Sequence, residues 1–234
     1  MEDKKAVRIQ TSILNNAEKK ALVWLAKRQP RWVVSDLLTI VGILGAAMIA
    51  AGFLMSNHNI HWLWLSIAGF FVNWYGDSLD GTIARVRNTQ RPIYGYYLDH
   101  TVDIINEALM FIGIGLSYLM RLDLALLLFI LYLCLTLNVS INAHLKSEFK
   151  LTYGKMGPTE FRVIACILIL VLMYVKPIRE FYLTLHIGSR AIGMTSLDIA
   201  GIVILVVLAV IYINTVITDA KGYSKMDPLP KQED

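Results

Sequence analysis

Residues 77–103 read DSLDGTIARVRNTQRPIYGYYLDHTVD, and this stretch joins the ends of two long apolar runs through a short basic connection. Asp77 and Asp80 stand three residues apart, and Asp99 and Asp103 four apart, so each pair projects from one face of a helix. An ionisable side chain at membrane depth costs about 3 kcal/mol even on a lenient insertion scale, so four carboxylates at the ends of adjacent spans call for a purpose. The connection carries Arg85, Arg87 and Arg91, and its shortness brings both acidic pairs to the same level of the membrane.

Outward from this stretch the chain suits lipid. Of its 234 residues 56% are hydrophobic and 17% charged, whereas a soluble domain carries about a quarter charged residues. A helix of about 20 apolar residues crosses the hydrocarbon layer. Six such runs lie near 33–54, 62–84, 95–119, 122–144, 158–176 and 194–218. The expected fold is an all-α integral membrane protein of six transmembrane helices. Ahead of them, residues 12–28 set Ile13, Ala17, Leu22, Trp24 and Leu25 against Glu18, Lys19, Lys20, Lys27 and Arg28 at helical spacing. This reads as an amphipathic interfacial helix with a basic face for anionic headgroups; a charged helix packed on the rest of the protein is the alternative. Pro30 breaks it from the first span. The domain reading is therefore 1–32, a cytoplasmic segment with the amphipathic helix; 33–218, the six-helix transmembrane domain; and 219–234, a cytoplasmic tail expected to be disordered.

Orientation follows from the basic residues. Lys4, Lys5, Arg8, Lys19, Lys20, Lys27, Arg28 and Arg31 precede the first span, and Lys146, Lys150 and Lys155 follow the fourth. Lys221, Lys225 and Lys231 lie in the tail, while the alternate connections hold only Arg121, Lys176, Arg179 and Arg190. The positive-inside rule then puts both termini, the Arg85 connection and the Lys155 connection in the cytoplasm. The charged beginning shows no apolar run leading to a cleavage site. Cys134 and Cys166 sit in apolar runs without metal or disulfide spacing and read as small hydrophobes. Nothing points to a nucleic-acid partner.

Four clustered carboxylates repel one another in a poorly hydrated site, and Arg85 alone cannot balance them. Cations are required. All-oxygen ligation suits hard divalent ions, magnesium or manganese, and Asp77, Asp80, Asp99 and Asp103 suffice for a two-metal site of the kind that serves phosphoryl chemistry. Gly81 and Ala84 share the Asp77 face and leave a groove, at whose end Arg85 offers a fork suited to a diphosphate. A small-residue helix crossing with a snorkelling arginine is the alternative for these three.

The same stretch resembles the CDP-alcohol phosphotransferase family, whose signature D-x2-D-G-x2-A-R-x8 or x9-G-x3-D-x3-D is matched at all eight specified positions, with a nine-residue spacer ending at Gly95. The six-span layout and the preceding amphipathic helix are also similar to that family. The resemblance implies that Asp77, Asp80, Asp99 and Asp103 hold two divalent metals and that Gly81, Ala84 and Arg85 accommodate the cytidine diphosphate. It implies that Asp103 is the general base for the acceptor hydroxyl, with CMP leaving. It also implies a CDP-alcohol donor and a homodimer. Asn73, a turn before Asp77, is a further candidate for the nucleotide, with hydrogen bonding across a helix interface as the alternative. Asp36 stands in VVSDLLT, where the family often has a proline-asparagine pair; helix capping would explain it equally.

Lys155 and Arg162 are candidates for an anionic group on the acceptor, as basic residues of this region are in relatives that use inositol phosphate or glycerol phosphate; a Glu160–Arg162 pairing is the alternative. These residues favour CDP-diacylglycerol as donor and a polar alcohol as acceptor. His100, directly after Asp99, instead resembles the aminoalcohol branch, which uses CDP-choline or CDP-ethanolamine with diacylglycerol. An ion-coupled transporter is a reading of another class; clustering of the charges at one end, beside a nucleotide groove, weighs against it.

Overall fold

The computed structural model describes residues 7–9, 15–146, 148–150, 157–188 and 190–229. Residues 12–14, Lys155 and residues 230–234, on which expectations above also rest, lie outside the described residues. In chain order the helices are α1 (Asn15–Arg28), α2 (Ser35–Met55), α3 (Leu63–Val86), α4 (Pro92–Gly115), α5 (Leu122–Lys146), α6 (Pro158–Tyr174), α7 (Lys176–Arg179) and α8 (Ser196–Met226). Each of the six apolar runs falls on one long helix. Pro92 and Pro158 open α4 and α6, where a missing N–H is harmless. Thr195 and Asp198 cap the start of α8 reciprocally. That last helix continues to Met226, past the residue 218 at which the sixth run was expected to end.

Three helices, Ser35–Met55, Leu122–Leu145 and Ser196–Met226, are long and apolar enough to cross a membrane by length and composition, which marks this as a membrane protein. The chain is mostly helical rather than all-α, because two short sheets are added. Strand β1 (Val7–Ile9) pairs in parallel with β2 (Glu148–Lys150), and β3 (Tyr182–Ile187) pairs antiparallel with β4 (Arg190–Thr195). The hairpin had a signal in the sequence: Leu183, Leu185 and Ile187 alternate with polar or aromatic residues up to Gly188, whose φ of 61° turns the chain.

Helices α2 and α3 run antiparallel at the closest approach in the bundle. A Cβ on Gly45 would lie 2.3 Å from the backbone nitrogen of Asn73, and one on Gly76 2.3 Å from that of Gly42; only glycine permits backbones this near. Around the crossing, Ile49, Phe53, Leu63, Ile67 and Phe70 form a core with Leu119 and with Ile169, Leu172 and Met173 of α6. Helix α1 exists and buries one side against the bundle: Leu22 and Ala26 pack with Val33, Leu38, Leu79 and Ile83, while Trp24 stays exposed.

Contacts sort the connections into two ends. At one, Arg87 donates to the carbonyls of Gln29 (2.9 Å), Pro30 (2.9 Å) and Val33 (2.5 Å), and Glu18 joins Trp74 to Thr159. At the other, Asn57 bonds Leu116 and Tyr118, and Asp198 accepts from the Arg121 backbone. The acidic pairs belong to the first end.

Gly45→Ala is expected to destabilise the protein by about 2 kcal/mol or more, since the clash is with backbone that cannot move aside. Gly222→Ala on α8, where a Cβ meets nothing within 4 Å, should leave the unfolding midpoint in detergent unchanged or raise it slightly. Equal midpoints for the two variants would refute the close crossing.

Candidate functional site

Asp77 and Asp80 lie in the C-terminal half of α3, and Asp99 and Asp103 in the N-terminal half of α4. Both helices are held by α2: α3 through the glycine crossing, and α4 through Gly113, where a Cβ would lie 2.5 Å from Ala50 Cα. With their partner fixed, the two acidic ends must converge. One carboxylate oxygen from each of Asp77, Asp99 and Asp103 lies within 4.8 Å of the others. Asp80 lines the same pocket, together with Thr39, Gly42, Val102 and Asn106.

Asp80 is fixed in place by local bonds. The Thr39 hydroxyl donates to its Oδ2 at 2.8 Å and the Gly81 N–H to its Oδ1 at 2.5 Å, while the Ser35 hydroxyl donates to its backbone carbonyl at 3.0 Å. The start of α2 thus orients a carboxylate on α3. A carboxylate oxygen has two acceptor sites, so each retains capacity for a further partner.

Arg162 of α6 reaches into this acidic end. Its Nη2 donates to Asp77 Oδ2 at 2.5 Å, and Nε and Nη2 donate to Asn73 Oδ1 at 3.2 and 3.0 Å. Asn73 in turn donates from Nδ2 to the Gly42 carbonyl at 3.0 Å and is only 1% exposed. Its amide therefore bonds across the α2–α3 interface, the arrangement held open beside nucleotide contact. Glu160 accepts from the Gly157 N–H at 3.0 Å at the start of α6. Arg162 thus contributes a positive charge to the acidic cluster through Asp77.

Arg85 is exposed and its Nη2 donates to Thr82 Oγ1 at 2.9 Å. A Cβ on Gly81 would stand 3.3 Å from Arg85 Nη1, so the absent side chain makes room for the guanidinium along the α3 surface. Ala84 is half-buried on the same stretch. Asp36, in the first turn of α2, accepts from the Tyr94 hydroxyl at 3.4 Å. The His100 ring stacks on Tyr96 with centroids 4.1 Å apart, its Nδ1 3.0 Å from the Tyr96 carbonyl and 3.8 Å from Asp99 Oδ2.

Sequence reasoning missed Thr39, Asn106 and Arg87. Thr39 bears on Asp80 from another helix, and no spacing along the chain reveals that. Asn106 had a signal, being three residues past Asp103 on the same helical face.

The donor set fits a metal: carboxylate oxygens from two helices, close enough to share an ion and of the hard type that divalent cations prefer. In comparison with known proteins, the family described as CDP-alcohol phosphatidyltransferase matches residues 32–213. The chain is 25% identical over 154 residues to cholinephosphotransferase 1 of Gallus gallus, a match covering 63% of this chain and 46% of the relative. It is 30% identical over 95 residues to archaetidylinositol phosphate synthase of Pyrococcus horikoshii, covering 41% of this chain and 47% of the relative. The chain spans about half the length of the curated relatives it matches.

Asn73→Ala would remove the second bond to the Gly42 carbonyl, which keeps its helical partner, and strip the Arg162 guanidinium of a partner, a loss of about 1–3 kcal/mol. A lowered thermal midpoint in detergent is expected. An unchanged midpoint together with weakened cytidine nucleotide binding would instead assign Asn73 to the ligand.

Proposed function

Since the chain belongs to the CDP-alcohol phosphatidyltransferase family, we propose that it moves a phosphatidyl group from CDP-diacylglycerol to the hydroxyl of a polar acceptor and releases CMP. The observation that carries this reading is the convergence of Asp77, Asp99 and Asp103, with Asp80 on the same pocket wall. Acceptors of the inositol phosphate, glycerol phosphate, inositol or serine type suit it. Arg162, already at the acidic cluster, and Lys155 are the cations for a phosphorylated acceptor. The similarity to an archaetidylinositol phosphate synthase supports such an acceptor.

Two magnesium or manganese ions held by Asp77, Asp80, Asp99 and Asp103 supply charge neutralisation at the phosphates and a lowered pKa for a nearby hydroxyl. Gly81 and Ala84 let the nucleotide approach the α3 surface, and Arg85 donates hydrogen bonds to its diphosphate. Asp103 takes the proton of the acceptor hydroxyl. The hydroxyl oxygen bonds to the phosphorus that bears the lipid, the bond from that phosphorus to the bridging oxygen breaks, and CMP departs with that oxygen. Six spanning helices with both termini and the site on the cytoplasmic side, α1 at the interface and a homodimeric assembly complete the proposal.

A second reading has its own support. His100 beside Asp99, and the similarity to a cholinephosphotransferase, favour a CDP-aminoalcohol donor with diacylglycerol as acceptor.

CMP release by purified protein with magnesium and CDP-diacylglycerol is expected with one of serine, inositol, inositol phosphate or glycerol phosphate. It should fall by more than about 100-fold in Asp77→Asn, Asp80→Asn, Asp99→Asn and Asp103→Asn, and on chelation of the metal. Release only with CDP-choline or CDP-ethanolamine and diacylglycerol selects the second reading. No release with any pair defeats both.

A further inference from the structure

Asn106 continues the Asp99–Asp103 stripe of α4 deeper into the bundle. Its side chain is 5% exposed, and its Oδ1 is buried with no hydrogen-bond partner among the described residues. It lines the same pocket as the four aspartates. Buried polar atoms are nearly always paired, because an unmade bond forfeits the hydration that the atom had in water. An open acceptor on a pocket wall therefore points to something that enters the pocket.

The other polar side chains of that wall identify the chemistry. Asp77, Asp80, Asp99 and Asp103 accept when ionised, and the Thr39 hydroxyl is already given to Asp80. A wall of oxygen acceptors without a proton to share is satisfied by a hard cation. We propose that Asn106 Oδ1 is a further ligand of the divalent-cation site, its neutral oxygen at the end deepest in the bundle; this rests on the reading that the aspartates hold divalent ions. Carboxamide oxygens are ordinary ligands for hard cations. A neutral one adds coordination without adding to the repulsion among four carboxylates. The depth explains the choice of residue: a fifth carboxylate there would be costlier to desolvate than an amide.

The test is Mn2+ binding by the purified full-length protein in detergent, with no lipid or nucleotide present, read from the electron paramagnetic resonance signal of free Mn2+. Asn106→Leu keeps the volume and removes the oxygen, and is expected to weaken Mn2+ about tenfold, with Asp103→Asn weakening it at least as much. Asn106→Asp keeps an oxygen in place and adds charge, so it should tighten Mn2+ binding. Unchanged affinity in Asn106→Leu overturns the assignment, and so does unchanged affinity in Asn106→Asp should the leucine variant fail to fold. Wild-type protein that takes up no Mn2+ overturns this assignment and the metal-dependent reading together. Loss in Asp103→Asn beside an unaffected Asn106→Leu removes this assignment alone.

Discussion

Everything at the acidic end depends on how closely α2 and α3 approach. Between helices in lipid no hydrophobic driving force acts, so association rests on packing and on polar bonds across the interface. Gly45 and Gly76 let the backbones meet, and the bonds follow from that nearness. Asn73 reaches the Gly42 carbonyl, Ser66 the Ile49 carbonyl, and Thr39 the carboxylate of Asp80. Helix α4 also packs on α2, with Gly113 against Ala50, and its Asp99 and Asp103 arrive beside Asp77 and Asp80 of α3. A wider crossing would remove the Thr39 bond and spread the carboxylates.

The second constraint is charge. Four carboxylates in one pocket at the end of a bundle are unfavourable without countercharge, and Arg162 supplies part of it from α6 through Asp77. That helix is tied to the same end by the Glu18 carboxylate, which accepts from Trp74 on α3 and Thr159 on α6. The segment before the first span is thus coupled to the placement of Arg162. Arg87 fixes the adjoining connection by donating to the carbonyls of Gln29, Pro30, Arg31 and Val33 at the turn between α1 and α2.

Much of this was legible in the chain. Apolar run length located the six long helices, because hydropathy acts through composition alone, and the spacing of Asp77, Asp80, Asp99 and Asp103 foretold shared faces. What remained hidden concerns partners from distant segments. Asn73 was a candidate for ligand contact, and its bonds to Gly42 and Arg162 could not be read without knowing which residue faces it across α2. Thr39 carries no signal of its own. The β3–β4 hairpin showed a period of two that was passed over inside a short connection. Asn106 was in plain view on the acidic stripe, but a lone asparagine in a helix has meaning only once its burial and its open oxygen are known.

The central claim is that this acidic cluster holds divalent ions for a cytidine nucleotide, and it is tested most directly by calorimetric titration of the purified protein with CMP, with and without Mg2+. Metal and nucleotide sharing one pocket must strengthen each other's binding by the same factor. The account predicts CMP binding that requires Mg2+ and is lost in Asp99→Asn. CMP binding indifferent to Mg2+, or no CMP binding under either condition, would contradict it.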